Sequence, residues 1–370
     1  MPEIVLKNVT KRWGDFVAVD NLNMTIEDRD FITLLGPSGY GKTTTLRMIA
    51  GLETPTEGTI TIGGRTVFDS ERGINISPDK RDIGFLFQNY ALWPHMTVYQ
   101  NISFGLENMK WKKADIKARV AEMLKLLKIE EFSSRYPAEL SGGQQQRVAI
   151  ARTLAPAPKV LFMDEPLSNL DAKLRSEMRT ELKRLHADTD ATFLYVTHDQ
   201  LEAMTLATKI CLIDKGHLQQ YEPPLKVYCR PKNLFVADFV GNPTMNLIPA
   251  KAKLLNTKEV SLQLLGLSVL LRSDEEIELV SEDTIVGIRP ESLPISDTGR
   301  VSAMAYSTLP AGMETTVKIA IDGQILSSVV FGAIDYGVDE PIKFDFSGDG
   351  ICLFDKSSGN RIAIGSIEVK

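Results

Sequence analysis

Three cysteines in 370 residues, Cys211, Cys229 and Cys352, stand far apart and form no C-x-x-C pair. Neither a zinc site nor a disulfide framework is indicated, and the thiols read as buried or incidental in a reducing compartment. No apolar run approaches the roughly 18 residues that read as a membrane span, so the chain is not expected to cross a bilayer by itself. It could still dock on proteins that do. The opening MPEIVLKNV has neither the apolar stretch nor the cleavage pattern of a leader. A basic excess is missing too. The formal net charge is −6, which leaves no global field drawing the chain to nucleic acid. There is no low-complexity tail and no short-period repeat. What remains is ordinary globular composition with the length of two or three domains.

Short apolar runs organise the first part of the chain. IVLKNV, FVAV and FITLLG read as strands, the last as a buried strand that ends in a glycine loop. KTTTLRMIAG follows as a helix closed by Gly51. IGFLFQ (83–88) is another strand. Residues 97–130 read as helical, with Ile116, Val120, Met123, Leu124 and Leu127 on one apolar stripe. A helix follows LSGG, KVLFMDEP and TFLYVTHDQ are buried strands with polar tips, and Asp171 is placed to start an amphipathic helix. This alternation predicts an α/β domain on a largely parallel sheet, with its polar residues gathered at the strand ends where such sheets bind ligands. Past Arg230-Pro231-Lys232 the pattern changes to period-2 runs such as METTVKIAIDG and PIKFDFSGDG. They predict an all-β domain of the small-barrel kind.

Between the third strand and its helix lies GPSGYGKTT, residues 36–44, with the spacing G-x-x-x-x-G-K-[ST] from Gly36 to Thr43. Such a loop wraps backbone N–H groups around a phosphate tail. Lys42 can reach β- and γ-phosphates, Thr43 can offer its hydroxyl to Mg²⁺, and the helix start adds its own N–H groups. Asp164 is delivered by a buried strand to the Mg²⁺ shell, and Glu165 is placed to orient or deprotonate an attacking water. D-E-P alone would read as a charged turn. Beside a phosphate loop the nucleotide reading prevails. Gln88 could sense Mg²⁺ or the lytic water, and His198 could hydrogen-bond the γ-phosphate or serve as a structural imidazole. Ser141-Gly142-Gly143 opens its helix as a second anion nest. One nucleotide does not need two nests from one subunit, so a second copy bringing its nest over the first copy's phosphates is expected. Trp13 could stack on an adenine or be a rim tryptophan.

Together these residues resemble the ATPases of ATP-binding-cassette transporters: GPSGYGKTT, Gln88, LSGGQ (140–144), VLFMDEP (160–166), SNLD (168–171) and His198. LSGGQ is the most specific, because other phosphate-loop enzymes lack it. NYALWPHMTVYQNI, PLSNLDAKLR, YVTHDQLEAMT, FVADFVGNPTMN and VGIRPE are similar to the carbohydrate-importer group, of the maltose, trehalose and glycerol-phosphate type. The resemblance covers almost the whole chain and is weakest at about 250–280 and 292–350. It departs at Asp28-Arg29-Asp30, where the family often has a glycine turn and Arg29 is expected to turn differently. It departs also at Gln145, often a basic residue.

The resemblance implies a phosphate-loop NTPase cassette over residues 1–235, with a helical subdomain at about 89–155, and an oligonucleotide-fold-like regulatory domain over 236–370. It implies ATP and Mg²⁺ as cofactors. Gly36, Ser38, Gly39, Gly41, Lys42, Thr43 and Thr44 would hold the nucleotide's phosphates, and Trp13 its adenine. Thr43, Gln88 and Asp164 would hold the metal. Glu165 would be the base, His198 the switch histidine, and Asp171 the interface aspartate. Ser141, Gly142, Gly143 and Gln144 would contact the nucleotide of a second copy. Two permease subunits would be the membrane partners, with an extracellular solute-binding protein engaged indirectly. No nucleic acid is expected, because stretches such as LRSDEEIELVSED make the β domain acidic. The expected place is the cytoplasmic face of the membrane, as a peripheral subunit. An importer of polyamine, iron or sulfate is the alternative within transport, and a soluble non-transport cassette ATPase the alternative outside it.

Overall fold

Apolar runs too uniform to leave a wet face become strands covered on both sides. A computed structural model of the chain describes residues 3–369. In it Phe31–Leu35, Val160–Asp164 and Thr192–Val196 are buried along their whole length. They form the middle of a six-stranded sheet, in the order His217–Glu222, Lys209–Asp214, Phe31–Leu35, Thr192–Val196, Val160–Asp164, Ile83–Leu86. All pairings are parallel except the first. A second, antiparallel sheet of five strands begins with the hairpin Ile4–Trp13 and Phe16–Ile26 and continues through Glu57–Ile62, Arg65–Asp69 and Ile74–Asn75. The last three of these strands lie outside what the periodicity predicted.

Helix Lys42–Ala50 contributes Leu46, Met48, Ile49 and Ala50 to one core with the inner faces of both sheets. Helices Val98–Asn108, Lys113–Leu126 and Gly142–Leu154 share a second core with Phe31, Phe193 and Tyr195. The helical stretch expected over 97–130 is therefore two helices. Lys110 between them has a φ of 59°, which breaks the ladder. Arg29 corrects another expectation. It does not turn differently but takes the left-handed conformation a glycine would, with a φ of 62°. Its N–H donates to the Thr192 hydroxyl at 3.0 Å, which holds it there.

Chain contacts divide the molecule into two compact units, one ending at Pro224 and the other starting at Leu225. Two short helices, Pro224–Cys229 at the division and Leu234–Phe239 within the second unit, are tied together by the buried Arg289. Its guanidinium donates to the Tyr228 carbonyl at 2.7 Å and to those of Ala237 and Val240, and lies over the Tyr228 ring. The β structure is a closed six-stranded barrel, Asn246–Asn256, Glu259–Leu264, Leu267–Ser273, Arg361–Val369, Ile351–Asp355 and Asp283–Ile288. It carries more than the small barrel expected. Gln324–Phe331, Glu314–Ile321, Val301–Pro310 and Glu340–Phe344 form a separate four-stranded sheet that shares the barrel's core.

Arg81 anchors the end of helix Lys42–Ala50. It is 3% exposed and donates to the carbonyls of Met48 (3.0 Å), Ile49 (2.8 Å) and Ile76 (2.8 Å). Burial lowers its pKa to about 10, so it stays charged at neutral pH. Helix ends leave carbonyls without intrahelical partners, and this guanidinium satisfies two of them. Arg81→Met keeps much of the apolar stem and leaves the Met48 carbonyl the Gly51 N–H, but it takes the donor from the Ile49 and Ile76 carbonyls. Its unfolding free energy should fall by about 2–4 kcal/mol, read as a lower denaturation midpoint for the first unit.

Candidate functional site

Strand register assembles the site. Leu34 and Asp164 both pair with Val196, and Leu86 pairs with Met163. The glycine loop, Glu165, His198 and Gln88 therefore leave four adjacent parallel strands at the same end of the sheet. This is the edge at which open α/β sheets bind ligands.

The glycine loop is dictated by its surroundings. Gly41 caps helix Lys42–Ala50 with a φ of 93°, and a Cβ there would collide with the Ala18 carbonyl. A side chain at Gly36 would collide with the Ile213 carbonyl. Gly39 has a φ of 83° but open space around it. Lys42 is buried at the helix start, and its Nζ donates to the carbonyls of Gly36 (2.8 Å) and Pro37 (2.7 Å). Burial lowers its pKa, while Glu165 and Asp164 pull it back up. Ser38 is exposed on the loop, and Thr44 is half-buried behind Thr43.

Thr43 Oγ1 donates to Asp164 Oδ1 at 2.9 Å, across 121 residues of sequence. The other carboxylate oxygen takes Arg47 at 3.3 Å. Arg47 was not anticipated, although it stands four residues after Thr43 and so shares its helix face. A hydroxyl and a carboxylate side by side are hard oxygen donors of the kind Mg²⁺ accepts. Among the described residues no group of three His, Cys, Asp or Glu is placed to hold a metal. Mg²⁺ needs none, since it takes one or two protein oxygens together with substrate phosphates. The residues present fit Mg²⁺-nucleotide.

Glu165 turns away from its neighbour Asp164. Its φ of 45° is left-handed, and its N–H donates to the Val196 carbonyl at 3.1 Å. Its Oε2 lies 3.4 Å from His198 Nδ1. The Glu165 carbonyl accepts the Ser168 hydroxyl at 2.8 Å, and Ser168 Oγ also takes Gln88 Nε2 at 3.4 Å. Asn169 Nδ2 donates to the Gln88 carbonyl at 3.2 Å. Contacts thus pair Thr43 with Asp164 and connect Glu165 with His198 and, through Ser168, Gln88, while Lys42 feels the charge of both carboxylates. Just beyond Gln88, Tyr90 and Ala91 are both left-handed, with φ of 59° and 48°. Arg152 holds that turn by donating to both carbonyls at 2.6 Å. No spacing rule links positions 61 and 62 residues apart, so nothing in the sequence pointed to it.

The remaining site residues make their contacts elsewhere. Trp13 sits at a hairpin tip, 47% exposed, stacked on Phe16 at 6.3 Å. Ser141 and Gln144 form a capping box, Ser141 N to Gln144 Oε1 at 2.9 Å and Gln144 N to Ser141 Oγ at 3.4 Å. A Cβ on Gly142 would make an ordinary contact with Leu170 Cδ2 at 3.8 Å, whereas one on Gly143 would sit 2.5 Å from Leu174 Cδ2. Asp171 caps helix Ala172–Asp188 through Leu174 N at 3.0 Å.

Comparison with known proteins places this geometry. The family described as ABC transporter matches residues 19–168. The trehalose/maltose import ATP-binding protein MalK of Thermococcus litoralis is 42% identical, with 98% of this chain and 100% of the relative covered. The sn-glycerol-3-phosphate import ATP-binding protein UgpC of Brucella abortus biovar 1 is 40% identical over the same shares. The solved dimeric structure of MJ0796, a bacterial ABC transporter cassette, superposes with a TM-score of 0.52 at 35% identity, covering 60% of this chain and 98% of that one.

Glycine 41 and glycine 39 separate strain from collision. Gly39→Ala meets only the left-handed penalty, about 1–2 kcal/mol. Gly41→Ala adds a clash with backbone that has no side-chain relief. Titration with a fluorescent ATP analogue should show Gly41→Ala at least about tenfold weaker than Gly39→Ala, a gap of about 1.4 kcal/mol.

Proposed function

The chain belongs to the ABC transporter family of ATPases, and on that premise we propose that it powers a carbohydrate importer as a head-to-tail dimer. Residues 1–235 are the cassette, with its helical subdomain at about 89–155, and residues 236–370 the regulatory domain. The observation that carries the reading is the convergence of Lys42, Thr43, Asp164, Glu165, His198 and Gln88 at one sheet edge. Ser141 and Gln144, by comparison, engage each other in their own capping box. A second copy would supply Ser141, Gly142, Gly143 and Gln144 to the first copy's ATP, and Asp171 would stand at the interface between them.

Each residue's work follows from where it stands. The loop N–H groups from Gly36 to Thr44, with Ser38, bind the phosphates, and Lys42 reaches the β- and γ-phosphates. Thr43 and Asp164, with Gln88, would hold the Mg²⁺ that accompanies ATP, and the ion would supply positive charge against the phosphates. Glu165 takes a proton from the attacking water, and His198, beside it, contacts the γ-phosphate. Gln88 joins this site to the permease side. Trp13, solvent-facing at its hairpin tip, stacks on the adenine.

The importer assignment is supported by relatives named for trehalose/maltose and sn-glycerol-3-phosphate import that match the chain over nearly its full length. No helix among the described residues is long and apolar enough to cross a membrane. Two permease subunits would therefore form the path, with an external binding protein choosing the solute and this chain peripheral on the cytoplasmic face.

Glu165→Gln should lower kcat by roughly 10²–10⁴-fold, the span of general-base contributions. ATP binding should persist and an ATP-bound dimer accumulate in sedimentation. Turnover at the wild-type rate would remove Glu165 as the base. Affinity capture from mildly solubilised native membranes should bring two permeases and a binding protein. Capture of ribosomes or repair factors would leave the ATPase chemistry standing and sink the transport reading.

A further inference from the structure

One arginine touches three loops' worth of this site without touching the nucleotide edge. Arg175 lies in the first turn of helix Ala172–Asp188. Its Nη2 donates to the Leu170 carbonyl at 3.1 Å, inside the SNLD turn. Its Nη1 lies 3.5 Å from Asp199 Oδ2, directly after His198. Its Nε, buried and with no hydrogen-bond partner, lies 3.9 Å from Glu202 Oε1.

The acceptor side is equally fixed. Glu202 is 3% exposed, and its Oε2 takes the Tyr195 and Thr197 hydroxyls, each at 2.7 Å. Thr197 Oγ1 in turn accepts the Asp199 N–H at 2.9 Å. Asp199 Oδ1 caps the next helix through Leu201 N (2.8 Å) and Glu202 N (3.1 Å). Residues 197 and 199, on both sides of His198, are therefore locked to one buried carboxylate, and Arg175 connects that carboxylate to the SNLD turn. A polar network anchored on the buried Tyr195, Thr197 and Glu202, with Arg175 and Asp199 half-buried at its edge, has few alternative arrangements.

We propose that Arg175 is a positioning residue that couples the SNLD turn to the His198 loop, so that contact with a second copy at the turn sets the histidine at the first copy's γ-phosphate. This rests on the two-copy reading above. A rigid fork suits the task, because one guanidinium can engage a carbonyl and two carboxylates at fixed angles where an ammonium acts as a single point charge.

Removing Arg175 alone would leave Glu202 buried beside Asp199 without a cation, and the fold itself would suffer. Two variants avoid that. Arg175→Gln/Glu202→Gln removes the charge with its counter-charge, and Arg175→Lys keeps a cation but loses the fork. Purified full-length protein is assayed for melting temperature, KM, kcat and the Hill coefficient for ATP. Both variants should melt close to wild type, with KM within about twofold. Their kcat should fall roughly 10–100-fold, the scale of a misplaced catalytic group, and cooperativity in ATP should be lost. If either folded variant keeps wild-type kcat and cooperativity, Arg175 is only a counter-ion and the proposal is overturned. The two-copy reading fails separately: wild-type protein would then hydrolyse ATP without cooperativity, and Glu165→Gln would form no ATP-bound dimer.

Discussion

The hydrogen bond from Thr43 to Asp164 is the constraint on which the rest of the site depends. It joins the first turn of helix Lys42–Ala50 to the tip of strand Val160–Asp164 at 2.9 Å. Neither group chooses its place locally. The hydroxyl is placed by a glycine-capped helix start, and the carboxylate by a strand buried from end to end. If the pairing of Asp164 with Val196 slipped by one residue, Glu165 would take the place of Asp164, with its side chain on the opposite face. Register along the central sheet is therefore the first determinant of chemistry here. Buried Phe162, Leu194 and Leu34, which favour one register, act on the site without touching it.

Two neighbouring carboxylates with different directions need a backbone that turns sharply between them. Glu165 supplies the turn through a left-handed conformation that costs a non-glycine residue roughly 1–3 kcal/mol. Three hydrogen bonds oppose that cost, from Glu165 N to Val196 O and from Ser168 N and Oγ to the Glu165 carbonyl. Asp164 faces Thr43 and Arg47 while Glu165 faces His198. The left-handed turn sends the two carboxylates to different partners, which the dipeptide in an ordinary extended strand would not do.

The parts of this site that could be read in the sequence are those whose partners are near in sequence or repeat a fixed spacing. GPSGYGKTT carries its own turn chemistry, and Asp171 and Ser141 announce helix starts. The buried strands were legible because a continuous apolar run has few other uses. Arg81, Arg152 and Arg175 were not, since each serves at least one carbonyl or carboxylate that only the tertiary fold brings near. Three short antiparallel strands between Glu57 and Asn75 were also missed. They alternate weakly and sit between glycines, and their burial comes from a sheet assembled with the N-terminal hairpin. The second sheet of the C-terminal unit was hidden for the opposite reason. Two of its strands, in METTVKIAIDG and PIKFDFSGDG, read well one by one and the other two did not, and period-2 patterns do not say which barrel or sheet a strand joins.

A last connection concerns how two distant turns of one chain are held to each other. Gly143 approaches Leu174 so closely that a Cβ would stand 2.5 Å from Cδ2. Leu174 N is the group that Asp171 caps at 3.0 Å. The signature turn and the SNLD turn therefore meet through a glycine and a leucine. A side chain there would have to push the Leu174 side chain aside, so Gly143 has a packing reason to be glycine that is independent of any phosphate. Arg175, one residue beyond Leu174, carries the same helix start on to Asp199 and Glu202. A displacement at the signature turn meets first a close apolar contact and then ion pairs that end on the buried Glu202. Such a path transmits position rather than absorbing it.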